Sequence, residues 1–536
     1  MTQPADAGRA EALARSSAMV GVGTALSRVT GLLRIGAVTY ALGTIAVADA
    51  YNLANTTPNI VYELILGGIL SATLVPVFVD RFEADDDDGV SAIVTIATVA
   101  LVALTVIAVV AAPAIFRIYT LRKSSADAHQ LATVGVPLTR LFLPQILFYG
   151  LTAIGTALLN ARRRFAAPAL APVLNNIVVC GALVLFARAA GKAPSLGAVR
   201  SDNGLLLLLG LGTTAGIVAM TVVLWWPLRR AGVRLRWRFQ PRHPAVRKVA
   251  SLSGWTVGYV VANQIALAVV LALAARRTGD ASAYTYAFVF FQLPHGLFAV
   301  SLMTTFVPEL SSLASRGDWP GYRARFALGL RWLVIVVVPA AVGYVVLARP
   351  LVAALLARGS LNATSAALVA DILAALAIGL PGFSIYLFTL RGFYALKDTR
   401  TPFLLNGLEN GMNILLAVAL VGALHVQGLA LAYAGAYSVA ALVALVALSR
   451  RVGGVDGKAI GSSALRVGVA AAAMGLTVWA VAHAVGSNHG AGAVARVGAG
   501  VVVGAVVYGG VLAAVGASEL RALWEHLAHR RVESRP

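Results

Sequence analysis

The sequence predicts an all-α polytopic membrane protein of about fourteen transmembrane helices. Three observations predict it. Of 536 residues, 59% are hydrophobic and 12% charged, where a soluble domain carries roughly a quarter charged residues. The apolar residues gather in runs of about 20 or more, the length that crosses a bilayer core. These runs are rich in Gly and Ala and lack strand-like alternation, which fits packed helices and not a barrel. A soluble globule has too little interior for this much apolar side chain, and a chain this apolar does not stay disordered. The single cysteine, Cys180, excludes a disulfide scaffold or a multi-cysteine metal site.

The runs lie near 16–44, 47–79, 90–115, 132–160, 168–188, 203–227, 247–274, 282–312, 326–348, 365–396, 402–422, 427–449, 463–485 and 494–516. The polar start (1–15) followed by a long apolar stretch does not read as a cleavable signal. The net charge is +21, from 43 Lys and Arg against 22 Asp and Glu. Of the 43, 27 lie in or flanking the N-terminal tail, the loops after even-numbered spans and the C-terminal tail, and 11 in or flanking the loops after odd-numbered spans. The last five, Arg28, Arg34, Arg140, Arg331 and Arg391, fall inside spans or at their edges. By the positive-inside rule both termini are cytoplasmic. The densest cluster, RRAGVRLRWRFQPRHPAVRK at 229–248, reads as a cytoplasmic loop on anionic lipid headgroups and not as a nucleic-acid surface.

An internal repeat organises the chain. ADAYNLA at 48–54 resembles ASAYTYA at 281–287, LSATLVP at 70–76 resembles LMTTFVP at 302–308, and PALAPVLNN at 168–176 resembles PFLLNGLEN at 402–410. The three matches keep their order and nearly one offset. Six spans separate the copies, an even number, so both share one orientation, as in transporters built from parallel repeats. The expected segments are a tail (1–15), an N-lobe (16–230), a basic cytoplasmic loop (231–246), a C-lobe (247–450), two appended spans (451–516) and a cytoplasmic tail (517–536).

Few polar residues sit where the membrane should exclude them. An arginine within a span costs about 2.5–3.5 kcal/mol even on the lenient scale, so it should face a wet cavity or a partner. Arg28 lies ~18 Å into span 1 and Arg34 ~120° around the helix from it, with Gly31 between them as a place to bend. The pair reads either as an anion site, since guanidinium forks match phosphate oxygens, or as a structural ion pair with Asp49 or Glu63. Asp49 would otherwise cap span 2. Pro58 and Pro294 interrupt corresponding spans, a pattern of transport sites and also of packing. Glu409, Asn410 and Asn413 offer oxygens within about one turn, for a coupling cation or as a satisfied polar cluster. His295 reads as a proton relay or an interior histidine. Arg140 and Arg391 line the cavity or sit at span ends. No HExxH, Walker loop, GxSxG or His–Cys spacing is present, so neither a catalytic nor a metal site is expected, and a secondary transporter is the physical default.

The motifs resemble the MurJ/MviN family of lipid II flippases, within the multidrug/oligosaccharidyl-lipid/polysaccharide exporter superfamily. The matching stretches are SRVTGLLR at 27–34 with ADAY at 48–51, TPNIVYELILGGILSATLVPVF at 57–78, NARRRFAAPALAPVLNN at 160–176, QLPHGLFAVSLMTTFVPELS at 292–311 and RGFYALKDTRTP at 391–402. The resemblance implies two six-helix lobes around a cationic cavity. It implies a bacterial inner-membrane protein moving the polyprenyl-pyrophosphate glycopeptide lipid II outward by alternating access. The drive would be membrane potential or a cation gradient (Na+ or H+), with no other cofactor. Arg28, Arg34 and Asp49 align with positions that matter in that family. Two further cavity arginines do not carry over: Tyr62–Glu63 and Phe288–Val289 stand there, so the pyrophosphate clamp is incomplete or rebuilt with Arg140 or Arg391. The implied partners are lipid II, membrane lipids and cell-wall synthesis machinery. The alternatives are an exporter of another lipid-linked glycan or amphiphile, and a non-transporting cell-wall scaffold.

Overall fold

The computed structural model describes residues 4–64, 74–162, 164–191 and 193–516, with side chains at all of these except 4–21, 24, 63–64, 250–260 and 304. Every regular element among them is helical: α1 (Pro4–Leu42), α2 (Ala46–Leu64), α3 (Val75–Glu83), α4 (Asp87–Val110), α5 (Ala112–Thr120), α6 (Ser125–Phe142), α7 (Gln145–Ala161), α8 (Ala166–Ala190), α9 (Leu196–Ser201), α10 (Asn203–Val222), α11 (Trp225–Arg230), α12 (Pro244–Ala274), α13 (Asp280–Pro294), α14 (Val300–Ser315), α15 (Trp319–Leu356), α16 (Ala363–Ile378), α17 (Leu380–Ala395), α18 (Arg400–Val452), α19 (Gly457–Ala484) and α20 (Gly490–Ala514).

Several of the scarce acidic residues start these helices. Asp86, Asp202, Asp318 and Asp456 stand just before α4, α10, α15 and α19, and each accepts a hydrogen bond from a first-turn amide. Each satisfies one of the donors that a helix start leaves open.

Counting α6–α7, α10–α11 and α13–α14 each as one, nine described helices are long and apolar enough to cross a bilayer, ten if the bent pair α16–α17 is one span. Fourteen spans are therefore not established. One reason is α18, whose 53 residues would reach ~80 Å as a single rod, far beyond a ~30 Å bilayer core. It breaks at His425, where φ is +52°, between the two runs expected there. Residues 65–73 of span 2 and the C-terminal tail 517–536 lie outside the described residues. The expected N-terminal tail is helical from Pro4 and continuous with α1. α1 runs unbroken through Gly31, and α2 through Pro58. Its counterpart Pro294 does mark an irregularity, a π-helical turn at His295–Ala299.

The described contacts form two units. The first holds Met1–Ser282 and the loop Arg358–Asn362. In it α1 packs on α8, α8 on α10, α2 on α6, and α12 on α2, α4 and α5. Phe78, Ala153, Ala157 and Leu159 are buried at its core. The second holds Ala283–Ala357 and Ala363–Pro536, with α15 against α16, α19 and α20 and α17 against α18. Spans 13 and 14 are thus packed members of this unit, through Val467, Ala470 and Leu512 against Val334 and Ile335. Its aromatic core joins Tyr322, Phe326 and Phe388.

The α17–α18 corner carries a pH-dependent contact. Asp398 accepts the Thr401 amide at 3.0 Å and its hydroxyl at 2.7 Å. Partial burial pulls this carboxyl upward, but those bonds, the Arg400 amide and the charge of Arg451 outweigh it and hold it below the usual range. A lowered carboxyl stabilises the fold fully above its unfolded value, near 4, and loses that contribution as pH falls through the folded value. The Tm gap between wild type and Asp398→Asn is therefore expected to be widest at neutral pH and to close as pH falls below 4.

Candidate functional site

The site of the first unit is built around the corner between α1 and α2. Asp49 is 0% exposed. Its Oδ2 accepts the Gly279 amide at 2.7 Å, and its Oδ1 accepts the Ser282 amide at 3.1 Å and hydroxyl at 2.7 Å. Asn52 adds a bond to the same hydroxyl at 3.0 Å. The carboxylate therefore caps α13 and not its own helix, placing negative charge at the positive end of a helix dipole. Gly279 is required there: its φ is +93°, and a Cβ would stand 2.3 Å from the Thr44 carbonyl oxygen. Ser360 closes the corner from another side, its amide donating to the Tyr40 carbonyl at 2.9 Å and its hydroxyl to that of Ala41 at 3.1 Å.

The arginines are placed separately from Asp49. Arg28 is exposed and Arg34 half-buried, on an unbroken helix that keeps them on different faces. Arg34 lies within electrostatic reach of Tyr51 and Cys180, and Tyr51 is itself fixed to Thr213 of α10 at 3.1 Å. Neither arginine pairs with Asp49 among the described residues. The side chain of Glu63 lies outside the described residues. Arg140, in the last turn of α6, is exposed, as is Arg391, whose guanidinium stands 6.0 Å from the Tyr394 ring. A residue that spacing did not single out holds α1 at the level of Arg28. Asn176 of α8 donates to the Thr30 hydroxyl at 3.0 Å and the Ser27 carbonyl at 3.3 Å. Its only sequence signal was its place in the repeated Asn-bearing motif.

Packed aromatics stand at two of the positions where the resemblance implied further arginines. The Tyr62 ring lies 4.3 Å from that of Tyr149, tilted by 40°, and Tyr149 donates to Asn59 at 3.1 Å. Phe288 lies among Tyr284, Phe291 and Tyr433.

The second unit buries Glu409, Asn410 and Asn413 along one face of α18. Asn410 is satisfied by the Asn406 carbonyl at 2.9 Å. Glu409 is 1% exposed, yet among the described residues neither of its carboxylate oxygens, nor Oδ1 of Asn413, meets a donor in strict hydrogen-bond geometry. The Tyr437 hydroxyl faces this carboxylate and interacts favourably with it. His295, by contrast, is engaged, with Nδ1 3.0 Å from the Ser384 hydroxyl.

The fold is shared with solved structures of membrane transporters. The chain superimposes on the inward-closed structure titled lipid II flippase MurJ with a TM-score of 0.73 and 21% identity, covering 91% of this chain and 96% of that one. An inward-facing multidrug-resistance MATE transporter of the MOP superfamily matches with a TM-score of 0.66 and 15% identity, over 79% of this chain and 94% of that one. The model of the family described as lipid II flippase MurJ matches residues 38–498, and the chain belongs to that family. Similar relatives include the probable lipid II flippase MurJ of Rhizobium meliloti, 28% identical over 78% of this chain and 77% of the relative. The lipid II flippase MurJ of Burkholderia cenocepacia is 29% identical over 71% of this chain and 72% of the relative.

Proposed function

We propose that this chain moves lipid II from the inner to the outer leaflet of the bacterial inner membrane by alternating access, with both termini cytoplasmic. The observation that carries the reading is family membership across residues 38–498. Arg34 and Arg28 bind the pyrophosphate while the polyprenyl tail stays in lipid, since guanidinium is the side chain best matched to phosphate oxygens. Glu409 and Asn413 take the coupling cation. What supports this is a buried carboxylate faced by the Tyr437 hydroxyl and by no cationic side chain among the described ion pairs, so that a proton or a cation would offset its desolvation. A proton needs the carboxylate alone, whereas Na+ would also draw on the Asn413 oxygen.

The test is rescue of bacteria depleted of their own lipid II flippase. The wild-type chain is expected to restore growth, and Arg28→Ala and Arg34→Ala each to fail or grow poorly. Rescue by both variants at the wild-type level would remove the pyrophosphate role. A second reading is export of another lipid-linked glycan, favoured by the packed aromatics Tyr62 and Phe288 at two family arginine positions. Vesicles in which the intact protein exposes that glycan and not labelled lipid II would select it.

A further inference from the structure

The basic segment between α11 and α12 has a built shape that its charge alone does not explain. Residues 233–240 belong to no helix or sheet, yet they are fixed to the first turns of α4. The Arg236 amide donates to the buried Ser91 hydroxyl at 3.2 Å, and the Arg238 amide to the buried Thr95 hydroxyl at 3.0 Å. Two residues of extended chain span ~6.6 Å, close to the ~6 Å between residues four apart on a helix. The anchors thus hold the segment extended along α4 up to Arg238, where the Gln240 amide turns back to the Arg238 carbonyl at 3.1 Å, and Arg238 is tied to Asp88 at 3.0 Å.

An extended backbone sends alternate side chains to opposite faces. One face here carries Leu235, Trp237 and Phe239, which are 37%, 72% and 59% exposed. The other carries Arg234, Arg236 and Arg238. Beside it, α11 exposes Trp225 and Trp226, with Arg230 3.6 Å from the Trp226 ring centroid and Arg229 5.3 Å from that of Trp225. Large apolar groups alternating with arginine do not suit open water. They match the membrane interface, where aromatic rings sit at headgroup depth and guanidinium meets lipid phosphate.

We propose that residues 233–240, with Trp225 and Trp226, form an amphipathic interfacial strap. It inserts Leu235, Trp237 and Phe239 among lipid chains and binds anionic phospholipid headgroups through Arg234 and Arg236. This rests on the first unit alone and not on what the chain transports. The neighbouring carboxylates Asp80 and Asp86 do not neutralise those two arginines, because Asp80 pairs with Lys248 at 2.8 Å and Asp86 with Arg81 at 3.0 Å.

The test uses the full chain, one copy per nanodisc, in a Cys180→Ala background with single spin labels at 234 to 237 and 239. The discs are pure phosphatidylcholine or a mixture with phosphatidylglycerol. Labels at 235, 237 and 239 are expected to be open to oxygen and shielded from a water-soluble nickel chelate, and those at 234 and 236 the reverse. Phosphatidylglycerol should move the 237 label deeper, and Arg234→Gln with Arg236→Gln should abolish that step. Uniform access of nickel at all five positions would overturn the strap. Shielding from both reagents would show the face covered by protein and overturn it equally. A phosphatidylglycerol response that survives the double Gln variant would overturn the headgroup assignment.

Discussion

Asp49→Ala is expected to fail in rescuing a flippase-depleted strain and to lower Tm in detergent more than any other single change at the α1–α2 corner. The substitution strands the Gly279 and Ser282 amides and the Ser282 hydroxyl in a fully buried place. Each stranded donor costs roughly 1–3 kcal/mol. Removing the charge also withdraws up to about 2 kcal/mol of favourable interaction with the start of α13. Asp49→Asn keeps one carbonyl oxygen but turns its amide toward donors, so it should fall between alanine and wild type. Ser282→Ala removes a single hydroxyl contact and should cost about 1 kcal/mol. The ranking Ala, Asn, then Ser282→Ala is read by thermal unfolding. An Asp49→Ala protein with wild-type Tm would mean that the carboxylate does not hold α13.

The second large effect concerns coupling. Glu409→Gln is nearly isosteric and removes the need for a counter-charge, so the variant should fold normally or gain slightly in Tm. Its lipid II exposure in proteoliposomes should lose its response to an imposed Na+ or pH gradient by an order of magnitude or more. Asn413→Ala separates the two ions: it should abolish a Na+ response and leave a proton response intact. Glu409→Gln with the full gradient response of wild type would leave Glu409 a structural residue.

The helices were legible because a bilayer core imposes one length on every span, and apolar runs of that length are hard to hide. Their number was less so. Near His425 neither Gly nor Pro stands at the residue that takes positive φ, and the break is set by tertiary context. Arg28, Arg34, Asp49 and Glu409 stood out because each is costly in an apolar setting. The partners of Asp49 did not, since Gly279 and Ser282 lie 230 and 233 residues away and no periodicity links such distances. The strap at 233–240 was visible as charge. Its alternation gained meaning only once Ser91 and Thr95 were seen to fix the backbone.

The contact between Asp49 and Ser282 also joins two matched positions of the internal sequence repeat. Aligning ADAYNLA with ASAYTYA sets Asp49 opposite Ser282, so the residues that touch are counterparts of one another. Two identical copies could not make this contact well. Two aspartates would repel at hydrogen-bond distance, and two serines would leave the start of α13 without an anion. The contact therefore depends on the two matched positions differing, an acid at one and a small hydroxyl at the other.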